Sequence, residues 1–186
     1  MIDTVQAMVD GYATLGFPPL QIVNGRIETI WVLGNNYRNR SKLYGAYPGN
    51  YLKRVMSMFP DKTSILHLFS GSVPKDKSYT RFCNTGADVN GDAEKLSTYF
   101  AANQFDLIVA DPPYSVEDAE HYGTPMIGRT LVLQECLIIL KKGGHIVWLD
   151  QVLPMWSKRN LKLVGLIGIV ISTNHRFRIA SVFEKV

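Results

Sequence analysis

FDLIVADPPY, residues 105 to 114, is the segment whose residue types and spacing point most directly to chemistry. A six-residue apolar run ends in the carboxylate of Asp111, Pro112 and Pro113 then fix the backbone, and the ring of Tyr114 follows at a set angle. Three other segments, two after strand-like runs and one before a helix, carry groups able to touch a ligand. These are FSGS at 69–72, with Phe69, Ser70 and Gly71; CN, with Cys83 and Asn84; and GDA at 91–93, with Asp92 and Ala93. Glycine in such a turn lets the backbone come close to a bound molecule.

Groups so far apart in sequence act together only if the fold collects them. Apolar spacing predicts a helix over residues 2–15, and LQIV-Asn24-Gly25-RIETIWVL predicts a β-hairpin with a type I′ turn. The stretch 34–50 reads as a Gly/Asn-rich, basic and aromatic loop, and YLKRVMSMF as a helix. Strand-like and helix-like runs then alternate: SILHLF, YTRFCN, the helix DAEKLSTYFA, FDLIVA, the helix RTLVLQECLIIL and HIVWL. That alternation implies a mostly parallel sheet covered by helices. KLVGLIGIVI and RFRIASVFEK, joined by the short STNH turn, must be antiparallel. The expected architecture is a single α/β domain over 1–186. Residues 1–50 form a helix, a small β-ribbon and a basic loop, and 51–186 the core. In an open parallel sheet ligands bind outside the carboxyl ends of the strands, where the four segments above all lie.

Composition narrows the function classes. With 46% apolar and 19% charged residues the chain reads as an ordinary globular domain rather than a disordered or fibrous one. Its longest apolar run, LVGLIGIVI, is about half the length of a membrane-crossing helix. Cys83 and Cys136 match no metal-ligand spacing and read as reduced thiols, and the acidic N-terminal segment lacks a secretory pattern, so a cytoplasmic protein without a metal is expected. The net charge of +4 is unevenly placed. Residues 26–54 carry six Lys or Arg against Glu28, residues 158–178 carry five with no acid, and five acids crowd into 106–120. Two basic segments around an acidic centre suit a polyanionic partner, and equally a pair of solvated faces.

DPPY after FDLIVA resembles motif IV, [DNS]PP[YFW], of the S-adenosylmethionine-dependent amino-methyltransferases, which methylate exocyclic amines of nucleobases. The resemblance implies a Rossmann-like methyltransferase sheet with a C-terminal antiparallel hairpin, and S-adenosyl-L-methionine as cofactor. An exocyclic amine is a poor nucleophile because its lone pair is delocalised into the ring. In enzymes of this kind the Asp111 carboxylate and the Pro112 carbonyl would accept the two amine hydrogens and turn the lone pair toward the methyl donor. Pro113 and Tyr114 would hold the base, with Tyr114 stacking on it once it has left its duplex or loop.

SILHLFSGS is similar to motif I, the strand and turn that lie against the cofactor's methionine part, so His67, Phe69, Ser70 and Gly71 become candidate contacts. His67 stands where the family has an acid and Val73 where it has a glycine, and Pro74 leaves little room for the usual first helix. His67 also reads as a satisfied core histidine. Cys83 and Asn84 occupy the place of the ribose-binding acid. VNGDAEKL resembles motif III, in which Asp92, beside Ala93, would meet the adenine amine; Asp92 is also placed to cap the following helix. YGAYPGNYLKRVMSMF resembles motif X, with Tyr47 and Pro48 as contacts, or is a plain packing helix. KKGGHIVWLD is similar to the turn and fifth strand, with Gly143 and Gly144 as turn residues. His121 and Tyr122 would lie on a loop closing over the substrate, where a surface histidine is the plainer reading; His175 is given no role.

The resemblance runs from about Tyr44 to Val186 and leaves no room for a separate target-recognition domain. The compact plan looks like small methyltransferases of phages and mobile elements that act on DNA adenine N6. Arg38, Arg40 and Lys42 are candidate phosphate contacts, and a homodimer or a specificity partner is a further expectation. Two other readings stay open: an RNA guanine-N2 methyltransferase, and a cofactor-binding protein without transfer activity.

Overall fold

A computed structural model describes residues 3–34, 47–172 and 176–186. In chain order its elements are α1 (Thr4–Ala13), β1 (Ile22–Val23), β2 (Arg26–Leu33), α2 (Tyr51–Ser57), β3 (Ile65–Leu68), β4 (Thr80–Cys83) and β5 (Val89–Asn90). A 3-10 helix (Ala93–Thr98), β6 (Phe105–Ala110), α3 (Val116–His121), α4 (Arg129–Ile139), β7 (Leu140–Asp150), β8 (Leu161–Ile171) and β9 (Phe177–Lys185) follow. The strands form one sheet in the order β1-β2-β8-β9-β7-β6-β3-β4-β5. β9 runs antiparallel to both neighbours, β1 is antiparallel to β2, and the other pairs are parallel. This is the expected Rossmann-like sheet with its C-terminal hairpin.

Strand order reverses between β3 and β6, because the chain builds outward from β3 through β4 and β5 and then returns to the other side of β3. The carboxyl ends of β3 and β6 therefore flank the crevice in which such sheets hold ligands. The strands around that crevice are apolar on both faces, as central parallel strands covered on two sides must be. One face packs Ile65, Leu107, Val109 and Val147 beneath α1 and α2. The other packs Leu66, Leu68, Ile108 and Trp148 against the 3-10 helix and α4.

The N-terminal hairpin turns at Asn24 (φ 50°) and Gly25 (φ 75°), as its sequence predicts. It is not a separate ribbon. β2 pairs in parallel with β8 from Ile27–Gly165 to Leu33–Ile171, burying Ile27, Trp31 and Leu33 under α1 and α2, so it widens the main sheet. Three further expectations are corrected. DAEKLSTYFA forms a short 3-10 turn broken at Lys95 (φ −138°, ψ 34°) instead of an α-helix. Tyr99 packs its ring against Gly91, where any Cβ would lie 2.3 Å from a ring carbon, and its hydroxyl accepts the Asp92 N–H, which holds the chain back from a regular helix. β7 begins at Leu140 rather than His145, with residues 141–144 bulged out of the ladder around Gly143 (φ 70°). His121 closes the short helix α3, where a loop was expected.

Gly11 shows how tightly α1 sits on α2: a Cβ there would lie 2.5 Å from the Ser57 carbonyl oxygen. Alanine gains about 1 kcal/mol of helix propensity over glycine. The clash forces the two helices apart, and overpacking of this kind costs about 1–3 kcal/mol. Gly11→Ala is thus expected to lower the denaturation midpoint with the m-value unchanged, whereas a raised midpoint would mean that the interface yields.

Candidate active site

Two cavities open at the carboxyl edge of the sheet and meet at Asp111, Pro113 and Tyr122. The first, about 580 Å³, is lined from four successive strand ends: Phe69 and Gly71 after β3, Cys83 and Asn84 at β4, Gly91, Asp92 and Ala93 after β5, and Asp111 after β6. Residues 122 and 124–127 form its outer wall. The second, about 480 Å³, lies between DPPY and the C-terminal hairpin, with Pro112, Tyr114, Ser115, Asp118 and Gln151 on one side and Arg176, Phe177 and Arg178 on the other.

The two differ in charge. The first holds Asp92, Glu94 and Asp111 and no lysine or arginine. The second holds two arginines, both on its hairpin wall, facing Asp118 and the shared Asp111. An elongated ligand with a cationic end suits the first in sign and in size, since ligand pockets run from about 300 to 1,000 Å³; a phosphate-bearing one suits the second.

The turn after β3 is built to let a ligand approach. Phe69 has φ 58° and Gly71 φ 46°, and a non-glycine residue held in the left-handed region marks a backbone over-determined by its surroundings. Among the described residues no helix follows before β4, as Pro74 predicts. Asp92 serves as the cap of the 3-10 helix, accepting the Glu94 N–H at 2.9 Å, while it lines the cavity. Both of its expected roles are therefore geometrically compatible. Glu94, unremarked in the sequence, also lines the cavity and accepts the Gly128 N–H at 2.6 Å, tying the outer wall to the floor.

Asp111 sits at the junction. Its Oδ1 accepts the Tyr114 hydroxyl at 2.5 Å. Desolvation by burial pushes its carboxyl up to about 7, against the opposing pull of the Arg178 guanidinium and the Tyr114 hydroxyl. Tyr47 and Tyr51, stacked at 5.2 Å, approach from the α2 side. Their hydroxyls are buried with no hydrogen-bond partner among the described residues, and burial and the Asp111 charge both keep them un-ionised.

DPPY is anchored from behind. Asp150, fully buried at the end of β7, accepts from Arg129 Nε (2.7 Å) and Nη2 (3.1 Å), Trp148 Nε1 (3.1 Å) and the Gln151 N–H (2.7 Å). Arg129 Nη2 also donates to the Tyr114 carbonyl at 2.8 Å. On the open side, the Arg178 guanidinium lies over the Tyr114 ring, 4.9 Å from its centroid.

Of the residues expected to touch the cofactor, Phe69, Gly71, Cys83, Asn84, Asp92, Ala93 and Asp111 line the first cavity. Pro112, Pro113 and Tyr114 line the second, Pro113 sharing both. His67 does not reach either. It lies on the α2 face of β3 with Ile65, its ring edge-on to Tyr79 at 4.6 Å, and burial lowers its pKa to about 4. It is not the satisfied histidine expected, because Nδ1 has no partner among the described residues. Ser70 is buried between the two lining residues and Pro48 precedes α2; neither lines a cavity. Arg38, Arg40, Lys42 and His175 lie outside the described residues. The sequence reading missed Glu94, Arg129, Asp150 and Arg178; only the basic run 158–178 signalled the last. Among the described residues no group of three or more His, Cys, Asp or Glu is placed to hold a metal, and no helix is long and apolar enough to cross a membrane.

No protein-family model matches the chain, and no curated protein matches it in sequence. Solved structures with a similar course of the backbone include TrmN from Thermus thermophilus, at 16% identity and a TM-score of 0.48, covering 67% of this chain and 44% of that one. A TehB-like SAM-dependent methyltransferase from Corynebacterium glutamicum shows 16% identity and a TM-score of 0.45 over 71% of this chain and 85% of its own. The fibrillarin pre-rRNA processing protein of Methanococcus jannaschii shows 14% identity and a TM-score of 0.39, covering 66% of each chain. The chain thus spans less than half the length of TrmN. The structures that resemble it include methyltransferases, while the chemistry must be read from its own residues.

Proposed function

We propose that this chain is an S-adenosylmethionine-dependent methyltransferase acting on an exocyclic amine of a nucleobase, with adenine N6 in DNA as the first candidate acceptor. The observation that carries the reading is the junction of an acid-lined cavity and an arginine-lined cleft at the Asp111 carboxylate, framed by DPPY. S-adenosylmethionine fits the first cavity by the chemistry of its donors. Asp92 is placed for a ligand amine, Asn84 offers an amide at the β4 end, and the acidic lining suits a sulfonium and an ammonium. When bound there the cofactor supplies an electrophilic methyl group.

The chain's own residues do the rest. Asp111 and the Pro112 carbonyl accept the amine hydrogens and turn the nitrogen lone pair out of conjugation. The Tyr114 hydroxyl leaves Oδ1 as its ring turns to lie on the base. With its pKa near neutrality, Asp111 is then able to take the proton that the amine sheds as its new bond to carbon forms.

A pH dependence follows. Only the ionised carboxylate can accept both from the amine and, afterwards, its proton, so kcat/KM is expected to rise through about pH 7 and level off above it. Asp111→Asn keeps an acceptor oxygen and removes the titration, so its residual activity should be flat across that range. A wild-type rise that persists in Asp111→Asn would assign it to another group.

The reading is tested by incubating the protein with S-adenosylmethionine and either unmethylated DNA or total RNA, then digesting and weighing the nucleosides. N6-methyladenosine, or its deoxy form, supports the proposal. N2-methylguanosine in RNA would keep the reaction class and change the acceptor, and no methylated nucleoside with bound cofactor would leave a binding protein.

A further inference from the structure

The site as it stands is occupied by the protein's own side chains. One of the two Asp111 oxygens, Oδ1, is taken by the Tyr114 hydroxyl, and the Tyr114 face that would take the base lies under the Arg178 guanidinium. Arg178 is half-buried in the wall of the second cleft, and no acid forms an ion pair with it among the described residues. It is held there by its contact with the Tyr114 face, of the kind worth about 0.5–2 kcal/mol, together with the attraction of the Asp111 charge. A phosphate competes for a guanidinium with bidentate, charge-assisted hydrogen bonds, which are stronger.

We propose that Arg178 is a specificity-determining residue which admits an acceptor base only when that base arrives on a phosphate-bearing strand. Resting on the reading that DPPY binds the base, the step runs as follows. A backbone phosphate entering the cleft beside Arg176 and Arg178 draws the Arg178 guanidinium off the Tyr114 ring. The ring, no longer pinned, swings from Asp111 onto the incoming base, and the emptied Asp111 oxygen accepts the amine. A free nucleoside carries no phosphate, meets the covered ring and is excluded. The substrate class is therefore polymeric or otherwise phosphorylated nucleic acid, and discrimination against nucleosides lies in β9, on the far side of the cleft from the chemistry.

Arg178→Met keeps an apolar stem against Tyr114 and removes the phosphate ligand. The ratio of kcat/KM for a short single-stranded oligonucleotide to that for the matching nucleoside is expected to fall about tenfold or more, the size set by one stacked cation, with nucleoside turnover rising. A parallel fall for both substrates would reduce Arg178 to a structural role and overturn the proposal. A second readout needs no turnover. With tyrosine labelled with carbon-13 at Cζ, and Tyr114 assigned through Tyr114→Phe, an abasic deoxyribose-phosphate hexamer should shift the Tyr114 resonance in the wild type and leave it in place in Arg178→Met. A shift in both proteins, or in neither, would contradict the proposal. If that shift behaves as expected while no substrate is methylated, the nucleobase reading fails and the phosphate-released clamp stands.

Discussion

Asp111→Ala is expected to lower methyl transfer by about a thousandfold while leaving S-adenosylmethionine affinity within a few-fold. The magnitude follows from mechanism: removing one preorganised hydrogen-bonding group aimed at developing charge costs about 10²–10³ in turnover, and Asp111 serves both as amine acceptor and as proton acceptor. Cofactor binding is spared because the first cavity keeps Asp92, Glu94, Asn84 and the turn at Phe69–Gly71. Calorimetry with the cofactor alone, beside single-turnover transfer to an oligonucleotide, separates the two effects; near-normal transfer would remove Asp111 from the chemistry. The same carboxylate carries a stability consequence of opposite sign. Its folded pKa of about 7 lies above the ordinary carboxyl value of 3.8, so ionisation is disfavoured by folding. The cost is absent below about pH 4, grows between pH 4 and 7, and reaches on the order of 4 kcal/mol above that. Asp111→Ala should therefore raise the melting temperature at pH 8 and change it little at pH 4, the stability cost at pH 8 being the mark of a group held for function.

Asp150→Ala is expected to be the most damaging single change to the fold at the site, at about 3–5 kcal/mol. The residue accepts four hydrogen bonds while fully buried, and its removal strands the Arg129 guanidinium and the Trp148 N–H together. Asp150→Asn keeps the shape and part of the hydrogen bonding but loses the charge, and should fall between wild type and alanine in chemical denaturation. Below the melting transition both variants should also lose transfer, because Arg129 then no longer fixes the Tyr114 carbonyl at the foot of DPPY. If transfer by folded Asp150→Asn were unchanged, the anchor would be a matter of stability alone.

What could be read from the sequence follows the range of each signal. The Asn24-Gly25 turn, the antiparallel C-terminal strands and the strand ending at Asp111 are local patterns, and each recurs in the structure. Strand ends converge because a parallel sheet aligns them, so Phe69, Cys83, Asn84 and Asp111 could be grouped from the sequence alone, with Asp92 added as the start of the next helix. Orientation within β3 was not legible. All four of its residues are buried, and with no polar alternation to mark the faces, His67 could be placed on the strand but not on a side. Long-range register was equally hidden. Arg129 opens an apolar helix and Asp150 closes an apolar strand, and nothing in either segment tells that they meet 21 residues apart at the Tyr114 carbonyl. Arg178 depends on the pairing of β9 with β8, which sets that guanidinium over Tyr114 across 64 residues of chain. The 3-10 helix is a tertiary override, since its helical pattern yields to Tyr99 folding back on Gly91.

The division of labour between the two cavities can be mapped directly by backbone amide NMR of the wild-type protein, titrated with S-adenosylmethionine and, separately, with a short adenine-containing oligonucleotide. The cofactor is expected to shift residues 69–71, 83–84 and 91–94, the oligonucleotide residues 114–115, 151 and 176–178, and both ligands Asp111. Cofactor shifts confined to the arginine-lined cleft, or competition between the two ligands for one set of residues, would contradict it.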